Sequence, residues 1–316
     1  MAAANKLKEG RKFLKEAEKL CAPSLLQLRF KPDWSQACPL FERAAASFRA
    51  AQAWDSAISA LERVALAQER QGSPWHAAKA LESGAACAKE KGDSNSVARL
   101  SREAAEYYFQ AGRPVASGEA LMKGAKLIED QDQALSLSLA FEAMETLEQH
   151  KDGGPRNPDL YRDAINMAVR TRRWDKAVGA LMKFGLECSS TNALGSMAKA
   201  YLGAVVVQLY AEQPEEAWLT FQDVLAVDSF AVSDSAHAAD RLFEAYRTGD
   251  PDKVRASVKE SRVFQHGLDN SIARLAKQLP QGNLQKQAEL LGRSMQNSGG
   301  GGGEPEEDEI DEDDLT

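Results

Sequence analysis

Residue types that usually mark catalytic or metal sites are scarce in this sequence. Its four cysteines are widely scattered and form no C-x-x-C pair, so neither a zinc site nor a disulfide framework is indicated. None of the four histidines is spaced four residues from another. Glycine-rich phosphate loops and the G-x-S-x-G motif of hydrolases are also missing. We therefore expect no catalytic residues, no metal, no cofactor and no small-molecule substrate, and the protein is not predicted to be an enzyme.

Long apolar runs and strand-like alternation of apolar and polar residues are missing as well. No apolar run approaches the ~18 residues of a membrane-spanning helix, and no signal-peptide core follows the first residues. We expect a soluble, cytoplasmic protein. Proline is sparse, at 11 residues, whereas 43% of the chain is hydrophobic, with alanine and leucine abundant. This composition favours an all-α fold with a substantial core.

Charge is unevenly distributed along the chain, because one short stretch carries almost all of the net charge of −8. Residues 304–314 include nine acidic residues and no basic one, which leaves 39 basic against 38 acidic residues elsewhere. A nearly neutral body is not typical of a nucleic-acid-binding protein. Glycines 299–303 precede the acidic stretch. Residues 298–316 are therefore predicted to be a flexible linker and a disordered acidic tail.

One helical pattern recurs at multiples of about 20 residues. Trp54–Leu61 returns as Pro114–Leu121 and as Trp174–Leu181, and Trp75–Leu81 is a related start. Each begins with a large or rigid residue, places a small residue one turn later and brings Ala-Leu to the second turn, on one helical face. Small residues allow a neighbouring helix to approach closely, and we expect the tryptophans beside them to be buried. Because one such helix cannot bury its apolar face alone, the pattern predicts a stack of hairpins.

The predicted architecture is a right-handed solenoid of antiparallel, tetratricopeptide-like helical hairpins with a C-terminal helical bundle. Short joints between the helical segments force neighbouring helices to run antiparallel. We predict the solenoid over residues 1–227, a bundle of shorter helices over 228–297, and the linker and tail over 298–316. Such a stack has one concave and one convex face, and its wide surface suits the binding of another protein.

An apolar loop is predicted at residues 22–34, bracketed by Pro23 and Pro32. It contains four large apolar side chains, Leu25, Leu26, Leu28 and Phe30. With Arg29 and Lys31 beside them, these side chains can insert into a membrane interface. They can instead pack against the first hairpin as part of its core, and the physical properties of these residues alone favour this second interpretation.

Six basic residues on the repeat helices or their joints are candidates for contact with an acidic partner. They are Lys123, Lys126, Arg172, Arg173, Lys183 and Lys199. For each of them a solvated helix face is the alternative, since most charged side chains lie at the surface and contact water.

Several stretches, taken in their order and spacing, resemble the soluble NSF attachment proteins, and most of all the gamma type of that family. The resemblance extends over nearly the whole chain. It rests on Arg29–Trp34 with Phe41–Ala45, Ala111–Arg113, Trp174–Ala177, Ala198–Tyr201, Leu242–Tyr246, Ser257–Glu260, Phe264 with Leu268–Asn270, and the ending Asp311–Thr316.

The resemblance implies an adaptor in vesicle trafficking and membrane fusion. Such a protein wraps an assembled SNARE four-helix bundle of the syntaxin type and recruits the hexameric ATPase NSF, which disassembles the bundle. It implies that the concave face contacts the SNARE rod and that the apolar loop contacts vesicle or target membranes, where the protein is peripheral. It assigns binding and stimulation of the ATPase to the end of the tail, at Asp311, Glu312, Asp313, Asp314 and Leu315.

Three acidic residues depart from the alpha type of the family. Glu119, Asp159 and Asp163 fall where alpha-type members carry interface lysines, which implies a different selectivity or affinity for SNAREs. The repeats alone also fit a generic tetratricopeptide-like scaffold that binds a peptide or helical partner in its concave groove. Recruitment of NSF in its ATP-bound state separates these two functions.

Overall fold

A computed structural model of the protein describes residues 2–23, 31–148 and 157–299. Over these ranges the chain forms sixteen α-helices and one short π-helix, and no strand. The predicted all-α class is confirmed. The helices belong to two compact units, the first ending at Arg172 and the second beginning at Arg173. Among the described helices, none has the length and apolar character that crossing a membrane requires.

The first unit is a stack of helices in which each packs against its neighbours in the chain. Its helices are α1 (Ala2–Cys21), α2 (Trp34–Ala50), α3 (Trp54–Arg70), α4 (Pro74–Lys91), α5 (Ser94–Gln110), α6 (Pro114–Ile128), α7 (Gln133–Glu148) and α8 (Pro158–Arg170). Further contacts join α4 to α6, α6 to α8 and α5 to α7. We call α4, α6 and α8 the even layer, and α3, α5 and α7 the odd layer. The predicted arrangement of helical hairpins is confirmed, and its right-handed sense stays a prediction.

The second unit begins with paired helices and then changes to shorter ones. Its elements are α9 (Trp174–Ser190), α10 (Leu194–Tyr210), α11 (Pro214–Leu225), α12 (Asp228–Ala231), α13 (Asp234–Arg247), α14 (Pro251–Glu260), the π-helix (Val263–Gly267), α15 (Asn270–Ala276) and α16 (Leu284–Gly299). Helices α13 and α15 pack against α10, and α16 packs against α11 and α13. The π-helix and the short α12 were not expected. The domain division at residue 227 stays a prediction.

Left-handed backbone recurs in the turns between helices at steps of 20 residues or a multiple of 20. It occurs at Gln52, Gly72, Gly92, Gly112, Arg172, Asn192 and Glu212, with φ between 54° and 81°. In six of these turns, those at Gln52, Gly72, Gly92, Gly112, Asn192 and Glu212, the residue that follows donates its backbone N–H five positions back, as Ala53 does to Phe48 O at 2.9 Å and Ala193 to Cys188 O at 2.8 Å. These bonds satisfy carbonyl groups that the helix end would otherwise leave unpaired. The repeat predicted from apolar residues is therefore also a repeat of backbone conformation.

Small residues at the fourth position of the repeat helices are fully buried. The side chains of five alanines at this position are 0% exposed, namely Ala37, Ala57, Ala77, Ala177 and Ala217. Trp54 and Trp174, by contrast, are only half-buried, and the Trp174 ring packs edge-on against Tyr210 with 5.4 Å between ring centroids. The prediction that these tryptophans are buried is wrong, because each keeps part of its surface exposed at the first position of its helix.

Candidate functional site

Two of the six predicted basic contact residues line one depression between α6 and α8. Lys123 and Lys126 lie one helical turn apart on α6, and both are exposed. The depression has a volume of about 300 Å³ and also includes the apolar Met122 and Leu160. The rest of its lining is polar and consists of Glu119, Asn157, Asp159 and Asp163. We call this feature the α6–α8 depression.

Each lysine of the depression is paired with a carboxylate on a neighbouring helix of the even layer. Lys126 Nζ forms an ion pair with Asp163 Oδ2 of α8. Lys123 Nζ lies 3.4 Å from Glu82 Oε1 of α4, and the other oxygen of Glu82 binds Lys79 Nζ at 3.1 Å. The even layer therefore does not present an uncompensated basic surface.

The three acidic residues singled out from the sequence, Glu119, Asp159 and Asp163, all line the same depression. Glu119 Oε1 accepts a hydrogen bond from Asn157 Nδ2 at 3.0 Å. Asp159 Oδ1 is 2.9 Å from Arg162 Nη1, whereas Asp163 pairs with the α6 lysine. Acidic and basic groups thus alternate within one small, accessible area. Such a surface is suited to a partner that itself carries charges of both signs.

The other four predicted contact residues lie on different elements. Arg172 occupies the left-handed turn after α8, at the end of the first unit. In the second unit, Arg173 is the N-cap residue of α9, Lys183 lies on α9 and Lys199 on α10. All four side chains are exposed.

The odd layer carries the same kind of ion pair between helices. Arg102 of α5 binds Glu142 of α7 through two hydrogen bonds of 2.7 Å, and this guanidinium lowers the pKa of the Glu142 carboxyl. Arg99 of α5 binds Glu62 of α3 at 2.7 Å. The paired residues are 37 to 41 positions apart in both layers, which is about two repeats. These partners were not predicted from the sequence, although the repeat length contained the signal.

The two remaining sets of predicted contact residues lie outside the described ranges. They are Leu25, Leu26, Leu28 and Phe30 of the apolar loop, and Asp311, Glu312, Asp313, Asp314 and Leu315 of the tail. The base of the loop is described. The Asp33 N–H donates to Leu20 O at 3.0 Å, and the Asp33 side chain caps α2 by accepting from Gln36 N at 3.0 Å. The chain therefore leaves α1 and returns to α2 at nearly the same point.

These surfaces can bind a charged partner by exchanging ion pairs within the protein for ion pairs with that partner. Over the described ranges, no group of three or more His, Cys, Asp and Glu side chains is placed to hold a metal ion. An exposed ion pair contributes only about 0–1 kcal/mol to stability. Charged groups of a binding partner can therefore replace such a pair with little loss of folding free energy.

Comparison with known proteins identifies one family. The model of the family described as soluble NSF attachment protein, SNAP, matches residues 8–267. The chain is 34% identical over 306 residues to the gamma-soluble NSF attachment protein of Arabidopsis thaliana, an alignment that covers 96% of this chain and 98% of that protein. It is 29% identical over 276 residues to the gamma-soluble NSF attachment protein of Dictyostelium discoideum, covering 87% of this chain and 84% of that protein.

Proposed function

Because the chain belongs to the soluble NSF attachment protein family, we propose that it is an adaptor that attaches the ATPase NSF to assembled SNARE complexes. It binds the SNARE four-helix bundle, recruits the NSF hexamer and stimulates ATP hydrolysis, and the bundle is then pulled apart. The observation that carries this proposal is the family match over residues 8–267, which extends from α1 to the π-helix and so includes helices of both compact units. The adaptor acts as a peripheral protein on vesicle and target membranes.

The even layer of the first unit supplies part of the SNARE contact in this proposal. The outer faces of a helical bundle carry charged side chains of both signs. The α6–α8 depression also holds both signs, with Lys123 and Lys126 next to Asp159 and Asp163. When the SNARE bundle binds, ion pairs within this chain are replaced by ion pairs with the bundle. The binding is therefore sensitive to salt. Arg172, Arg173, Lys183 and Lys199 supply further basic contacts.

A charge-swap experiment separates partner contact from internal structure at Lys126. The single variant Lys126→Glu places two carboxylates together and is expected to weaken SNARE binding about tenfold, or ~1.4 kcal/mol. Lys126→Glu combined with Asp163→Lys restores the internal ion pair but reverses the charges offered to the partner. We expect this double variant to regain thermal stability without regaining affinity.

The matched control is the equivalent swap in the odd layer, Arg102→Glu with Glu142→Arg. It reverses an interhelical pair of the same kind and is expected to leave SNARE affinity unchanged. Wild-type affinity of the even-layer double variant would mean that Lys126 only holds α8 in place. Loss of affinity in the odd-layer variant alone would assign the contact to the other face of the unit.

Capture of NSF tests the adaptor function as a whole. Immobilised SNARE complex is incubated with the full chain and with NSF in its ATP-bound state, and retention of NSF is measured. We expect retention only when both the SNARE complex and this chain are present, followed by disassembly once hydrolysis is allowed. A chain that binds the SNARE complex without retaining NSF would instead be a generic tetratricopeptide-like scaffold.

The acidic tail is the proposed contact for the ATPase. Its carboxylates favour fast, salt-sensitive encounter with a basic surface, and Leu315 adds one apolar anchor after Asp313 and Asp314. Leu315→Ala is expected to preserve SNARE binding and to lower SNARE-dependent ATP turnover. Neutralising Asp311, Glu312, Asp313 and Asp314 should slow recruitment of NSF and flatten its salt dependence. Unchanged turnover of Leu315→Ala at saturating adaptor would refute the anchor.

The apolar loop is the proposed membrane contact. Its base is held by the hydrogen bond between Asp33 N–H and Leu20 O, and each side chain that becomes fully buried in lipid can contribute about 1.5–3 kcal/mol. Replacing Leu25, Leu26 and Phe30 by Ser should weaken disassembly of liposome-anchored SNARE complexes and spare SNARE complexes in solution. An equal loss in both assays would assign these side chains to the core of the first hairpin.

A further inference from the structure

A second depression lies between α13 and α14, which pack together in the second unit. It has a volume of about 300 Å³ and is lined by Arg241, Lys253, Ala256, Ser257, Glu260 and Ser261. The five lining residues of α14 and its end follow one another at helical spacing and share one face. Arg241 of α13 completes the lining. We call this feature the α13–α14 depression.

Its two cations differ from the lysines of the α6–α8 depression, because no carboxylate neutralises them. Arg241 and Lys253 are exposed, and within the described part of the chain neither takes part in an ion pair or hydrogen bond. Glu260 is the one carboxylate in the lining. The lining of the depression therefore carries two cations and a single carboxylate, which lies at the end of α14.

The buried hydroxyl group of Ser261 is a second and independent sign of a ligand. Ser261 is 9% exposed, and its Oγ is buried without a hydrogen-bond partner among the described residues. Two other buried serines are satisfied, since Ser117 Oγ donates to Ala105 O at 2.7 Å and Ser136 Oγ to Ala125 O at 2.8 Å. Ser261 differs because its backbone is extended, with ψ of 119°, which carries its side chain away from the carbonyls of α14.

We propose that the α13–α14 depression binds a polyol phosphate, meaning a phosphate monoester on a hydroxyl-bearing ring. The Arg241 guanidinium can bind two phosphate oxygens at once, and Lys253 adds a point charge. The Oγ of Ser261 is covered in the ligand-free structure, so the side chain must turn to another staggered rotamer before its hydroxyl can donate to a phosphate oxygen and gain the partner that it lacks. Glu260 accepts hydrogen bonds from ring hydroxyls and disfavours a second anionic group on its side. The volume is at the small end of ligand pockets and leaves room for the ring.

The polyol phosphate could be a free small molecule or the headgroup of a lipid, and two probes distinguish these sources. One probe is a free inositol phosphate, and the other is phosphatidylcholine vesicles that contain a phosphorylated inositol lipid. Binding of the full chain to the soluble probe is measured by calorimetry, and binding to the vesicles by sedimentation against vesicles without that lipid. Binding of the soluble probe alone identifies a free ligand. Additional or exclusive binding to the phosphorylated vesicles identifies a lipid headgroup. Either result supports the site if the variants below respond.

Substitutions in the lining test where the probe binds. Arg241→Gln and Lys253→Gln are each expected to weaken binding at least about tenfold, as loss of a charge-assisted contact should. Arg255→Gln is the matched control, because Arg255 lies on the same helix, is not part of the lining and is paired with Asp252 at 2.9 Å. It should bind like the wild type.

Ser261→Ala separates ligand binding from a structural role. Since the hydroxyl has no partner in the protein, its removal should leave the melting temperature of the ligand-free chain unchanged or higher, while binding of the probe weakens. A lower melting temperature with unchanged binding would make Ser261 purely structural and overturn its assignment. Failure of both probes to bind, or equal binding by wild type, Arg241→Gln and Lys253→Gln, would overturn the site.

Discussion

Replacement of Gly185 by alanine tests how closely α9 and α10 approach each other. A Cβ atom at Gly185 would overlap the ring of Tyr201 on α10. That ring cannot easily move away, since Tyr201 is 3% exposed and packs edge-on against Phe230 with 5.5 Å between ring centroids. Gly179 lies on the same helix, and a Cβ atom there would have nothing within 4 Å among the described residues beyond its chain neighbours and the nearby backbone of its own helix. The two glycines therefore form a matched pair in which only the space differs.

The expected effects have opposite signs. In either position, alanine stabilises the helix by about 0.5–1 kcal/mol relative to glycine. At Gly179 this gain is the whole effect, so Gly179→Ala should stabilise the protein by that amount. At Gly185 the overlap adds an overpacking cost of about 1–3 kcal/mol. Gly185→Ala should therefore be destabilising by up to about 2.5 kcal/mol once the helical gain is subtracted.

Urea unfolding and thermal melting, followed by circular dichroism, measure both effects. A change of 1 kcal/mol shifts the melting temperature by about 2–4 °C for a protein unit of this size. Gly179→Ala should melt above the wild type and Gly185→Ala below it. If Gly185→Ala were as stable as Gly179→Ala, the close approach of α9 and α10 would not exist as described.

Three further predictions concern a turn, an ion pair and a thiol. Gln52→Gly should stabilise the protein by up to about 1 kcal/mol in urea unfolding, because Gln52 has a φ of 55°; a loss of stability would contradict this. Arg102 lowers the pKa of Glu142 below its ordinary 4.5, so their contribution is complete above that value and is lost as the pH falls through the lower, folded-state pKa. Glu142→Gln should thus cost about 0.5 kcal/mol at neutral pH, a value reduced because both side chains are partly exposed, and stability curves of the two proteins should converge in acid. Burial and the nearby Glu42 raise the pKa of Cys38 to about 11, so iodoacetamide should label it at least about tenfold more slowly than the half-buried Cys21; equal rates would show that Cys38 is accessible.

The repeat could be predicted from the sequence because its signal is local. Small residues such as Ala57 and Ala177, each three positions after the start of a helix, mark the face that is buried, and helical periodicity is set by the backbone alone. The sequence predicts a helix over residues 53–70, and the structure has Trp54–Arg70. The resemblance to the family was equally visible, since it depends on the order of short motifs and not on their contacts.

Contacts between distant residues were decided only by the tertiary structure. Lys126 was predicted as a partner contact from its own charge, yet its pairing with Asp163 depends on how α6 and α8 lie within one layer. The α13–α14 depression has the same origin, because Arg241 and Lys253 converge only when their helices pack. The unpaired hydroxyl of Ser261 depends on how the backbone leaves α14. A sequence pattern specifies which face of a helix is buried, whereas the neighbours of an exposed charge or a buried hydroxyl are set by packing between helices.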